Sequence, residues 1–87
     1  MKSKIHPIEQ YSIDIVKKLR TTHNLTQADI ADILGLRGSF IGNVENHNKP
    51  SKYNLKHINV LADYFNLSPK DFLPAEAYKQ NATGANK

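Results

Sequence analysis

The chain of 87 residues is predicted to fold as an all-α domain of five helices. Three observations predict it. Apolar residues recur at i, i+3, i+4 spacing in successive stretches, the period of a helix with one buried face. Helix-starting residues (Thr26, Asn54 and Ser68) stand directly ahead of three of those stretches. Gly35 and Pro74 stand where two helices must stop.

The elements follow in order. Residues 1–7 form a polar N-terminal arm, and Pro7 opens the first helix, where its missing N–H is not needed. This helix runs from Ile8 to Thr22 with Ile8, Tyr11, Ile15, Val16 and Leu19 as its apolar face. His23-Asn24 connects it to the next helix, which Leu25 is expected to staple. Thr26 caps that second helix, and Asp29 three residues on completes a capping box. Ile30, Ile33 and Leu34 give it an apolar stripe, Ala31 lets another helix cross closely, and Gly35 supplies a left-handed exit. A third helix is expected from about Arg37 to Asn46, with Ile41 and Val44 facing inward. After a polar loop, His47 to Tyr53, Asn54 caps a fourth helix with Leu55, Ile58, Leu61, Ala62 and Phe65 on its core face. Ser68-Pro69-Lys70-Asp71 opens a short fifth helix that buries Phe72 and Leu73 and ends at Pro74. The folded domain thus spans residues 8–74, and residues 75–87, with little periodicity, form a flexible C-terminal tail.

Composition narrows the function. A hydrophobic content of 39% in so short a chain means one small globular domain with a modest core. The absence of cysteine excludes disulfides and thiolate metal sites. No apolar run reaches the ~20 residues of a membrane span, and MKSKIHPIEQ lacks the apolar centre of a signal peptide, so a cytoplasmic location is expected. His6, His23, His47 and His57 show no ligand spacing, and no Ser/His/Asp set, phosphate-cradling glycine loop or paired acids occur. Neither an enzyme, a metal nor a cofactor is expected. The net charge is +4, and its distribution says more than its size. From residue 37 to 57 stand Arg37, Lys49, Lys52 and Lys56, two histidines and a single acid, Glu45. Lys17, Lys18 and Arg20 add to them from the first helix, an arrangement that suits nucleic acid.

Thr26 to Asn46, TQADIADILGLRGSFIGNVEN, has the layout of a helix-turn-helix. It resembles the helix-turn-helix domains of phage repressors, Cro and the wider xenobiotic-response-element group of bacterial regulators. Gln27, Ala31, Gly35, Ile41, Val44 and Glu45 stand in register with that group's pattern, and the likeness extends from about Ile8 to Pro74. The resemblance implies a repressor-like fold, double-stranded DNA as partner, and a transcriptional regulator whose third helix lies in the major groove. It places Gly38, Ser39, Gly42, Asn43 and Asn46 on the outer face of that helix. Asn43 is the best candidate reader, because a carboxamide can bond adenine at two atoms. Arg37 would reach guanine or a phosphate, Ser39 any of several bases, and Gln27 a phosphate at the start of the second helix. Lys49 and Lys52 would meet phosphates from the loop. Phe40 would press on the DNA backbone or a thymine methyl, or else pack inward. Arg20 and Glu45 fall where the family forms a structural ion pair.

Two features depart from the family. Arg37 replaces the usual Ser or Thr cap, and Gly38 and Gly42 offer no side chains, so readout would lean on DNA shape and phosphates. Gly42, set on the outer face, would then let the helix sit deep in the groove. A homodimer joined through Val60 and Tyr64 on a near-palindromic site is expected, with half-sites roughly 34 Å apart. No second domain for sensing a small-molecule ligand is expected. The competing reading is a helix-turn-helix used to bind protein, such as the antitoxin of a toxin–antitoxin pair.

Overall fold

The computed structural model describes residues 5–79. Among these the chain forms four α-helices and no strand: α1 (Pro7–Thr22), α2 (Gln27–Leu34), α3 (Gly38–Val44) and α4 (Leu55–Phe65). The fifth helix expected after Ser68 is a single 3-10 turn, Pro69–Phe72. Leu73 is already extended (φ −125°, ψ 152°), and Pro74 follows it, so no α-helical turn can develop there. Residues 1–4 of the arm and 80–87 of the tail lie outside the described residues.

The path of the chain is set by one joint used three times. Asn24 (φ 58°), Gly35 (φ 70°) and Asn66 (φ 60°) each enter the left-handed region at the end of a helix. The leucine that follows each of them donates its N–H back to the helix: Leu25 to Arg20 O, Leu36 to Ala31 O and Leu67 to Ala62 O, all at 2.8 Å. This is the Schellman arrangement, which satisfies carbonyls that a helix end otherwise leaves open. Asparagine tolerates the left-handed region better than other side chains, and glycine enters it without steric cost. The third residue of each joint, Thr26, Arg37 or Ser68, is the N-cap of the next element.

Capping boxes close most of the helix starts. Asp29 N–H donates to Thr26 Oγ1 (3.0 Å) while Thr26 N–H donates to Asp29 Oδ2 (2.8 Å). Ser68 and Asp71 form the same reciprocal pair. Two boxes use histidine, which the sequence patterns did not single out. His6 Nδ1 accepts from Ile8 N–H (3.1 Å), and His6 N–H donates to Glu9 Oε1 (3.0 Å). That bond from His6, aided by Lys52, holds the Glu9 carboxyl below its ordinary range. At the start of α4, His57 N–H donates to Asn54 Oδ1 (2.8 Å) and His57 Nδ1 accepts from Asn54 N–H (3.1 Å).

The core gathers Ile13, Val16, Ile30, Ala31, Ile41, Val44, Tyr53, Ile58, Leu61, Ala62 and Phe72. Three expectations about its edges need correction. On α1 the buried line is Ser12, Ile13 and Val16, while Ile8 is exposed. Leu55 is 78% exposed as the first residue of α4, while Ile58 three residues on is buried. Leu73 is also exposed, since the 3-10 turn points Phe72 alone inward.

The His57 box makes stability sensitive to acid. Burial, with Lys56 nearby, pushes the His57 imidazole below its ordinary pKa of 6.5. A folded-state pKa below the unfolded one gives stability that is present above pH 6.5 and lost as pH falls through the lowered value. Protonation also removes the Nδ1 acceptor and adds positive charge at a helix N-terminus. The fall in melting temperature between pH 7.5 and 5.0 is therefore expected to be smaller in His57→Gln than in the parent chain; equal falls would place the acid sensitivity elsewhere.

Candidate nucleic-acid interface

The helix-turn-helix is α2, the Gly35 joint and α3, which ends two residues earlier than the sequence suggested. Ile41 and Val44 are buried and seat α3 on α2, its principal neighbour there. Ser39 and Asn43 stand one helical turn apart, exposed on the opposite side. Gly38 lies beside them with open space where a side chain would be. Arg37, exposed at the N-terminal end, makes no side-chain cap, so the first turn of α3 is closed only by the backbone, Phe40 N–H donating to Arg37 O at 3.0 Å.

Behind this face lies a polar latch. Arg20 Nε and Nη2 donate to the two oxygens of Glu45 at 3.0 and 2.9 Å, and Arg20 Nη1 donates to Leu25 O at 3.0 Å. The two side chains are only 14% and 4% exposed, so the pair is shielded from water and from salt. It ties α1 to the end of α3 and to the joint ahead of α2. Gln27 is a third member: its Nε2 donates to Glu45 Oε1 at 3.0 Å. Tyr53 Oη lies buried without a partner, and burial together with the Glu45 charge raises the hydroxyl's pKa well above its ordinary value.

The latch changes the role of Gly42. A side chain there would point at Gln27 rather than outward, its Cβ 3.4 Å from Gln27 Oε1. Gly42 therefore borders the Gln27 side chain of the latch. Because Gln27 is flexible enough to yield slightly, Gly42→Ala is expected to stabilise the free chain by about 0.5–1 kcal/mol through helix propensity. A lower melting temperature would mean that Gln27 cannot give way.

The other expected residues separate into those free to meet a ligand and those already engaged. Lys49 is exposed in the loop. Lys52 pairs with Glu9 at 3.2 Å, so its charge is partly neutralised. Asn46 lies beyond the end of α3, its Oδ1 accepting from Asn48 N–H at 2.9 Å in a loop turn. Phe40 is half-buried, its ring 5.5 Å from that of His57 and 6.3 Å from that of Tyr53, which is a packing role. Sequence reading missed this aromatic cluster, although an aromatic at each of positions 40 and 53 was a visible signal.

No group of His, Cys, Asp or Glu suited to hold a metal occurs among the described residues, and no helix there is long and apolar enough to cross a membrane. No curated protein and no solved structure matches the chain. The profile of the Cro/C1-type HTH DNA-binding domain does match, over residues 16–77. That span holds both helices of the motif, Arg20, Glu45 and all three joints, and it covers well over half of the sequence: the chain belongs to the family of Cro/C1-type helix-turn-helix DNA-binding domains.

Proposed function

We propose that the chain is a sequence-specific transcriptional regulator that lays α3 in the major groove of double-stranded DNA. One observation carries the reading: Glu45, the single acid between residues 37 and 57, is turned inward and neutralised by Arg20. What α3 and its flanks turn outward is then neutral or cationic: Arg37, Ser39, Asn43 and Lys49. Asn43 reads a base edge, Ser39 supports it, and Arg37 and Lys49 hold phosphates. The domain so used spans residues 8–74. Two copies bind together, with Tyr64 and Leu67, 54% and 38% exposed, offering apolar surface on and beside α4 for the contact.

The test is selection of a preferred site from a pool of random duplexes, followed by a salt titration of its affinity. A defined site of two related halves is expected. Lys49→Glu should weaken binding to the selected site and to unrelated DNA alike, and flatten the slope of log affinity against log salt by about one unit or more. An unchanged slope would remove Lys49 from the interface. Failure to select any sequence would favour the protein-binding reading.

A further inference from the structure

The chemistry of the latch fixes which end of the Gln27 amide faces outward. Glu45 Oε1 already accepts from Arg20 Nη2 (2.9 Å) and lies 3.0 Å from the Gln27 amide. A carboxylate can only accept there, so the amide nitrogen must face it and the oxygen must face away. The oxygen lies in the notch left by Gly42, with 3.4 Å to where a Cβ would stand. Among the described residues no hydrogen bond to it is formed, and Tyr53 Oη is the fully buried side-chain atom left unpartnered, so Gln27 Oε1 is not sealed from solvent. The cleft between α2 and α3 therefore presents a fixed acceptor beside the face of α3.

The oxygen itself cannot bond a phosphate, whose oxygens also only accept; the second N–H of the amide and the Gln27 backbone N–H still can. The oxygen's partners in DNA are the amino groups that bases carry into the major groove, on adenine and on cytosine. We propose that Gln27, seated over Gly42 and held by Glu45, is a specificity-determining residue whose Oε1 selects a base-edge amino group at one position of the site, a role beyond the phosphate clamp that the family resemblance implies. This rests on the reading of α3 as the groove-binding helix.

The test compares the parent chain with Gln27→Met, which keeps the side-chain length without an acceptor, and with Gln27→Lys. The lysine can still bond Glu45, so it preserves the latch where methionine loosens the fold. Each protein selects from the same random duplex pool, and each is titrated against the parent's preferred site and its single-base variants. The expected result is that both variants lose about three- to tenfold discrimination at one base pair, whose preferred base carries an amino group in the major groove. Preference elsewhere should match the parent. A uniform loss at every position would overturn the proposal in favour of a structural or phosphate role. If the parent selects no sequence, the reading of α3 fails and takes this proposal with it.

Discussion

Glu45→Ala is expected to cost about 3–5 kcal/mol of stability while leaving base preference, among the molecules that remain folded, changed only at the base pair assigned to Gln27. The cost comes less from the lost attraction than from what remains. Arg20, its side chain 14% exposed, keeps one neutral partner, the Leu25 carbonyl, and Gln27 loses its acceptor. In a chain of 87 residues this is a large fraction of the total stability, of order 5–15 kcal/mol for a folded domain. A urea titration would read it directly. Replacing both partners with apolar residues of similar size should recover most of the loss, because no stranded charge then remains. If the Glu45→Ala midpoint were unchanged, the pair would be open to water.

Phe72→Ala should be as damaging, about 3–5 kcal/mol, although it alters a four-residue turn near the end of the domain. Phe72 has no exposed surface and belongs to the same core as Val16, Ile30 and Leu61. The 3-10 turn packs on α4 and α1, so deleting the ring leaves a cavity where three elements meet. At roughly 4–8 °C per kcal/mol for a domain of this size, the melting temperature should fall by some 15–30 °C. Leu73→Ala, one residue on and 39% exposed, is the control and should change little. Similar losses from the two would show that the turn seats both side chains.

What could be read from the sequence follows from how local each feature is. Thr26 with Asp29 and Ser68 with Asp71 are closed by bonds three residues apart, so their letters suffice. Gly35 is equally legible, since its φ of 70° suits little else. Asn24 and Asn66 do the same work but were passed over, because asparagine is also common in turns that end nothing. The α1 face was misjudged for a different reason: Ile8, Ile13, Ile15 and Val16 cover a broad arc, and which part is buried depends on what packs against it. Periodicity likewise drew Leu55 into a core that its side chain does not reach. At the interface, Arg20 and Glu45 came from family register. The direction of the Gln27 amide, and so the role of Gly42, is a relation among α1, α2 and α3 that no spacing within one helix encodes.

The three joints differ where their third residues differ. Thr26 and Ser68 each give the following element an oxygen that closes its first turn; Arg37 gives α3 a guanidinium instead. A side-chain cap contributes about 1 kcal/mol, and the same joint twice elsewhere shows that the chain can accommodate one. On the proposed reading, the helix that faces DNA is thus the one without a side-chain cap: local stability is exchanged for a charge at the tip. A departure from the rule that the rest of the chain obeys marks function more sharply than any conforming residue does. On the proposed reading Arg37, more than the glycines beside it, is where the demands of binding and of folding diverge.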